Sequence, residues 1–486
     1  MRDKIDSEAL KCAADADVRL NQMFRPYALK MEAAGLHPIV INMFKCYYGQ
    51  LVYGAQGKVT EQEILPVQKG DIPDYQDIES YEDKGAEALR QTVVIKLNGG
   101  LGTGMGLDSP KSLIPVRGTR TFLELMLSQI RFLRNKYKVE LPFLLMNSFK
   151  THMETMLALR DFDNGLTYIE PAFLQHRYPK ILQDSLAPVS WPANPEQEWN
   201  PPGHGDIYTA LLTSNLLQNL LEKGYNYAFV SNADNLGAIM DRRILGYMYA
   251  NELPFLMEVA DRTKADRKGG HLMRLRSKNR LALREVAQCP ENEIHFFSDI
   301  ERYCFFNTNS IWLDLRVLEQ VFLYHRSIPL DLIINPKNVD SRDAASPRIF
   351  QLETAMGSAI SAFRDAVAIR VPRNRFAPVK STADLLLVRS DCYVLTEQQT
   401  LVVSPQRLDV LPVICLDDRY YRNLDDFNLR FPDGPPSLLE CTSLIVTGDI
   451  VFEPGVVLRG DVRLENHSGS QVKLLAGQVV TGKMIW

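Results

Sequence analysis

Five glycines fall within eight consecutive positions, Gly99, Gly100, Gly102, Gly104 and Gly106, directly after the run Val93-Val94-Ile95-Lys96-Leu97-Asn98. No other stretch of the chain restricts its fold so strongly. A strand that ends in such a loop lets the backbone approach a ligand closely and take positive φ where required. Successive N–H groups can converge there on an anion, helped by the dipole of a following helix. The loop therefore predicts phosphate or nucleotide binding at the end of a buried strand. Two familiar phosphate loops do not fit. A Walker A loop needs a glycine before its Lys-Ser and another five residues earlier, where this chain has Pro110 and Met105. The dinucleotide fingerprint fails as well, because Gly100 and Gly102 are followed by Met105, and Gly102 and Gly104 by Leu107.

The surroundings of the loop set the fold class. Short apolar runs, Val93–Ile95, Phe143–Met146, Tyr227–Val230 and Phe255–Met257, alternate with helical stretches. This is the pattern of strands buried on both faces of a mostly parallel sheet. Thr121 and Glu124 predict a capping box, after which Phe122, Met126, Ile130 and Leu133 recur at helical spacing. A second helix is predicted after Asp206, carrying Ala210, Leu211, Leu217 and Leu220. The chain is thus read as α/β, with a Rossmann-like domain over residues 85–388. Residues 1–84 read as a helical segment without chemistry, from Leu20, Met23, Phe24 and Tyr27 and from the apolar stretch Ile39–Tyr53. In residues 389–486, short apolar pairs are punctuated by Gly448, Gly455 and Gly460, as in the turns of a β-helix or a small meander, a tail suited to packing or homo-oligomerisation.

With 486 residues, two or three domains are expected. A net charge of -4 provides no global field for nucleic acid or an anionic membrane, so any phosphate site must be local. Seven cysteines, odd in number and without a CxxC pair, suit reduced thiols in a cytoplasmic protein. No signal peptide or membrane-length apolar run is read in the sequence.

The string KLNGGLGTGMG followed by SPKS resembles the eukaryotic-type UTP–glucose-1-phosphate uridylyltransferases, and the likeness continues in order. It runs through MNSF (Met146–Phe149), FLQHRYPKI (Phe173–Ile181), PPGHGDIY (Pro201–Tyr208), SNADNLGA (Ser231–Ala238) and KADRKGG (Lys264–Gly270). It then passes through REVAQCP (Arg284–Pro290), FFNTNSIW (Phe305–Trp312), FQLETAMGSAI (Phe350–Ile360) and VPRNRFAPVKSTADLLLV (Val371–Val388). The resemblance implies a Rossmann-like nucleotidyltransferase domain with a mixed, mostly parallel sheet and a small C-terminal left-handed β-helix. It implies UTP and glucose 1-phosphate as substrates, UDP-glucose and pyrophosphate as products, and Mg²⁺ as cofactor.

The implied reaction brings two polyanions together, so charge neutralisation and in-line positioning matter more than a strong base. On this resemblance Lys111 and Lys380 are the catalytic candidates. Arg370, Arg373 and Arg375 make the neighbourhood of Lys380 basic, either solvated or holding the loop. Asp234, just past the run Tyr227–Val230, is the metal ligand expected at the carboxyl end of a parallel strand. Nucleotide contacts fall on Leu97, Gly99, Gly100, Gly102, Thr103, Met146, Gln175, Gly203 and Asp234, where a glutamine amide matches the imide edge of uracil. Sugar-phosphate contacts fall on His204, Asn232, Gly270, Glu285, Asn307, Asn309 and Phe376. His204, between two glycines, is expected to be exposed on a tight loop.

Ala260-Asp261-Arg262, His271, Leu174 and Ala233 depart from the family pattern and are expected to flank the sugar pocket, which bears on sugar choice. Two rivals stand beside this reading. One is a pyrophosphorylase for another sugar or several sugars, although NGGLGTGMG lacks the arginine of those loops. The other is a catalytically silent nucleotide-sugar sensor, against which the retention of Lys111, Asp234 and Lys380 argues.

Overall fold

The computed structural model describes residues 17–160, 169–263, 266–267, 269–325, 327–328, 330–340, 343, 345–407 and 410–486. Cys12, the charged N-terminal stretch, and Lys264, Ala265 and Lys268 of the KADRKGG motif lie outside them.

The strand Thr92–Asn98 is buried at every position and lies in the middle of a ten-stranded mixed sheet. The order along the main path is Ile64–Pro66, His271–Leu275, Phe305–Asp314, Tyr227–Asn232, Thr92–Asn98, Phe143–Asn147 and Ala172–Leu174. The last four are mutually parallel, and Phe305–Asp314 joins them antiparallel. The side-chain alternation of strands puts Val94, Phe143, Leu145 and Phe229 on one face, against the helix Phe122–Tyr137. Val93, Ile95, Leu144, Met146 and Val230 point to the other, against Ile207–Thr213 and Leu216–Glu222. Helices on both faces explain why these strands read as continuous apolar runs.

All four predicted strands are present, and the Thr121–Glu124 capping box forms in both directions. The helix predicted after Asp206 is instead two helices, broken at Ser214–Asn215. Ser214 Oγ donates back to the Ala210 carbonyl at 2.6 Å, and Asn215 takes a left-handed φ of 59°. The Ser214 hydroxyl shares a carbonyl of the helical ladder and the left-handed Asn215 cannot continue it, which a count of apolar spacing does not register. No long helix follows the glycine loop directly. Only the 3₁₀ turns Thr103–Met105 and Lys111–Leu113 do, so helix-dipole support there is smaller than expected.

The helices Val18–Ala33 and Pro38–Val52 pack through Phe24, Tyr27, Phe44 and Tyr48 onto Tyr178 and Leu352. Beyond them, the predicted helical segment departs from expectation. Ile64–Pro66 pairs with His271–Leu275 at one end of the main path, too short a strand to show a period and tolerant of proline at an edge.

Past the helix Thr382–Arg389, the tail forms a four-stranded parallel sheet, Val413–Leu416, Ser437–Thr447, Val457–Glu465 and Val479–Ile485. A second parallel pair, Ile450–Phe452 and Val472–Leu474, lies alongside in sequence, with the punctuating glycines at positive φ. Cys289, Cys304, Cys392, Cys415 and Cys441 are free thiols. Among the described residues no helix is long and apolar enough to cross a membrane.

Candidate active site

A cleft opens where Thr92–Asn98 and Tyr227–Asn232 end side by side, at the carboxyl edge of the parallel strands. Its lining includes Leu97, Gly99, Gly100, Lys111, Met146, Gln175, Gly203, His204, Asn232 and Asp234. Ten of the predicted site residues, from widely separated parts of the sequence, thus meet in one place. The reason is topological: parallel strands deliver their following loops to the same edge of the sheet.

The glycine loop works mainly by close approach. Of its five glycines only Gly106 has positive φ, at 74°. At Gly99 a Cβ would stand 2.8 Å from Gln175 Oε1, so the absent side chain is what lets Gln175 lie over the loop. Ser148 Oγ donates to the Gly99 carbonyl, while Gln175 donates through Nε2 to the Gly203 carbonyl at 2.7 Å. Gln175 Oε1 accepts from no donor among the described residues, and the side chain lines the cleft. Gly203 takes φ of 81° against Thr354, a conformation costly for any other residue. Gly102 and Thr103 lie outside the lining. Gly102 closes the loop on itself through Ser109 and Met105, and Thr103 is exposed.

Lys111 and Asp234 meet across the cleft, Nζ to Oδ2 at 2.9 Å, both mostly shielded from solvent. Asp234 Oδ1 is buried without a hydrogen-bond partner. An orphaned carboxylate oxygen on the wall of the cleft fits a hard divalent cation. Among the described residues no group of three or more His, Cys, Asp or Glu could hold a metal. Asp234 is the residue that would hold such an ion.

His204 corrects its expectation. It is only partly exposed, and its Nδ1 accepts from the Met356 backbone N–H at 3.0 Å. Burial pulls its pKa down to about 4. The ring is therefore neutral near pH 7, with its proton on Nε2.

Gly270, Glu285, Asn307 and Asn309 form a second group. Asn307 donates from its backbone to the Gly270 carbonyl and from Nδ2 to Asn309 Oδ1 at 2.8 Å. Gly270 lies against the Glu285 carboxyl, whose pKa is pushed up by burial and opposed by the charge of Lys380. Asn309 sits at a register shift in the sheet with φ of 56° and donates to Asn307 Oδ1 at 2.9 Å. Phe376 packs edge-on against Phe306, and Lys380 is exposed just before the capped helix Thr382–Arg389. The two groups touch where Val379 N–H donates to the Asp234 carbonyl.

The three arginines near Lys380 resolve as loop-holding. Arg370 grips Asp261 and Asp74, Arg373 reaches Asp266 and lies over Phe306, and Arg375 is buried on Glu258. Of the departures from pattern, Arg262 is buried and donates to the Phe297 and Tyr303 carbonyls, while His271 stacks on Tyr303. Both pack against Tyr303, Arg262 directly after the strand Phe255–Asp261 and His271 at the start of the strand that follows Gly270. Leu174 is exposed, whereas Ala233 does line the cleft.

Sequence reasoning missed Asn98, Ser112 and Pro201 in the lining, although Ser112 stands in the SPKS string that marked Lys111. It also missed Lys96, buried below the loop and donating to Ser231 Oγ at 2.7 Å and the Ala238 carbonyl at 2.6 Å. Burial and the charge of Arg375 lower its pKa to about 7, against Glu258 and Asp234.

A twisted α/β sheet with a glycine loop, a lysine and an orphaned carboxylate at its strand ends defines a nucleotide-binding protein of the phosphate-transferring kind. The sequence model of the UTP–glucose-1-phosphate uridylyltransferase family matches residues 41–459, and the chain belongs to that family. It is 39% identical to UTP–glucose-1-phosphate uridylyltransferase 2 of Dictyostelium discoideum, covering 87% of this chain and 83% of that protein. The Solanum tuberosum enzyme is 38% identical, over 94% of this chain and 95% of its own. Among solved structures, UDP-glucose phosphorylase from Trypanosoma brucei superposes with a TM-score of 0.89 at 42% identity, covering 96% of this chain and 100% of the other. A mutant of the Leishmania major UDP-glucose pyrophosphorylase, solved in complex with UDP-glucose, gives 0.89 and 42%, covering 95% and 99%.

Proposed function

We propose that this chain transfers the uridylyl group of UTP to glucose 1-phosphate, giving UDP-glucose and pyrophosphate. The observation that carries the reading is the Lys111–Asp234 pair, with its orphaned Oδ1, set beside a glycine loop in a chain of this family. A phosphate oxygen of glucose 1-phosphate attacks the α-phosphorus, and the bond to the bridging oxygen breaks, that oxygen leaving with pyrophosphate. The nucleophile is already anionic, so no side chain need abstract a proton.

Lys111 neutralises charge that develops on the triphosphate, and Lys380 does so from the opposite loop. Leu97, Gly99, Gly100, Met146, Gln175 and Gly203 hold the uracil end, with Gln175 Oε1 facing the imide N–H. Gly102 and Thr103 shape the loop from outside the lining. His204, neutral, donates from Nε2. Asn232, Gly270, Glu285, Asn307, Asn309 and Phe376 position the sugar phosphate, where the Asn amides donate and accept and the Glu285 carboxyl, its pKa raised by burial, accepts from sugar hydroxyls. Asp234 is the residue that would hold Mg²⁺, which when bound supplies charge neutralisation at the phosphate oxygens.

The finer readings rest on the same footing. They are a cytoplasmic location, a left-handed β-helix in the tail, division near residues 84 and 388, and self-association through the tail. Parallel strands linked by positive-φ glycines support the β-helix. Half-exposed Val479 and Ile485 on the last strand support the association.

The test is pyrophosphate release from UTP, Mg²⁺ and glucose 1-phosphate, with galactose 1-phosphate and N-acetylglucosamine 1-phosphate in parallel. Release with glucose 1-phosphate is expected. Release with another sugar alone overturns the substrate, and none with any sugar overturns the enzyme.

A further inference from the structure

Glu258 is fully buried on the strand Phe255–Asp261, and its carboxylate takes the guanidinium of Arg375 in a two-point fork, both contacts at 2.7 Å. A buried ion pair is poor evidence of stabilisation, because desolvation offsets the attraction. What this pair joins is more informative. Arg375 also donates to the Ile239 carbonyl at 2.9 Å, and its own carbonyl accepts from Asn235 Nδ2. Asn235 Oδ1 in turn accepts from the Ala377 backbone at 2.9 Å. The Glu258 carbonyl accepts from Thr308 Oγ1 at 2.8 Å, within the irregular stretch that presents Asn307 and Asn309. Lys96 pins the first of these loops at both ends, through Ser231 and Ala238.

We infer that Arg375 is a positioning residue for the transfer: its fork on Glu258 holds the loop carrying Asn232 and Asp234 in register with the loop carrying Phe376 and Lys380. This rests on the proposed transferase reading. The geometry matches the need, since Lys111 with Asp234 and Lys380 approach the phosphates from different loops. The loops also touch directly, through Val379 N–H on the Asp234 carbonyl and Ala377 N–H on Asn235 Oδ1, and the fork fixes the base of that contact to the sheet. Both ends of the pair are held: Glu258 is further fixed by Trp312 Nε1 at 3.0 Å, and the planar arginine fork meets the carboxylate side-on through Nε and Nη2. A lysine would keep the charge and lose the second contact. Misplacement of reacting groups by about 1 Å can cost ~100-fold in rate.

The experiment compares wild type, Arg375→Lys and the double variant Arg375→Met/Glu258→Leu, which removes both charges at once and leaves neither unpaired. Steady-state kinetics and native-state hydrogen exchange, followed over residues 231–241 and 371–380, are measured on the full chain without substrates bound for the exchange. The expected result is a fall in kcat of roughly tenfold or more in both variants, with KM for UTP changed much less and exchange faster in both loops. A folded variant with wild-type kcat and wild-type protection overturns the inference. So does a fall confined to KM. If the double variant does not fold, Arg375→Lys decides by the same criteria. Wild-type protein that releases no pyrophosphate would overturn the transferase reading alone, and the exchange comparison would still decide whether the fork couples the loops.

Discussion

Lys111 and Asp234 neutralise one another in the ligand-free protein, so each leaves the other's charge uncompensated when it is removed. Lys111→Ala is expected to lower kcat by about 10²–10³, the usual loss for one electrostatic donor at a transition state. Asp234→Asn should weaken the dependence on divalent cation, read as a shift in the Mg²⁺ concentration for half-maximal rate. A residual rate near wild type in Lys111→Ala would refute the role given to it. His204 gives a prediction about pH. The folded protein holds this ring neutral down to about pH 4, whereas an unfolded chain protonates it below about 6.5. The unfolded state thus binds more protons in that window, and stability falls as pH drops through it, by up to about 3 kcal/mol. Above the window the group contributes no slope. Urea unfolding at pH 7 and pH 4.5 should show this loss, and His204→Asn should flatten it. The glycines and Lys111 were legible because their types and order are unusual. Lys96 was not, since a lysine inside an apolar run looks like an interruption until its partners across the sheet are known.

Local rules carried whole elements where the signal was chemical. Thr121 N-caps its helix by accepting from Glu124 N–H, and the Glu124 carboxylate returns a bond to the Thr121 N–H at 2.7 Å. Thr121→Ala should cost about 1 kcal/mol, seen as a lower urea midpoint at unchanged slope. An unchanged midpoint would show that the cap is redundant with packing. Periodicity failed at Ser214–Asn215, where the left-handed Asn215, after a serine bonded back to its own helix, ends a helix that the apolar spacing continues. It failed again at Ile64–Pro66, where three residues pair only because a distant hairpin offers an edge. Asn309 is a third instance. Its positive φ belongs to a bulge whose partner strand is Phe255–Asp261, some fifty residues earlier in the chain.

At the scale of the molecule, the core is shared. One apolar cluster runs from Leu89 and Val94 through Val379 and Leu386 to Leu438, Ile450 and Val480. Arg407, nearly buried, donates to the Leu438, Leu439 and Cys441 carbonyls and stitches the hairpin Tyr393–Val403 region to the parallel tail. A chain ending at Arg389 should therefore expose apolar surface, bind a hydrophobic dye and aggregate. A soluble 1–389 fragment with the melting temperature of the full chain would contradict this. The sequence alone determined the α/β class, the strand–glycine-loop unit, the family and most of the residues that line the cleft, because these depend on residue type and local order. Tertiary structure alone decided the rest: that Lys111 pairs with Asp234, that His204 is partly shielded and neutral, that Arg262 and His271 both pack against Tyr303, and that Arg375 is committed to Glu258. Charge state, burial and partner are properties of a site's surroundings, and those surroundings are assembled from segments that only the folded sheet brings together.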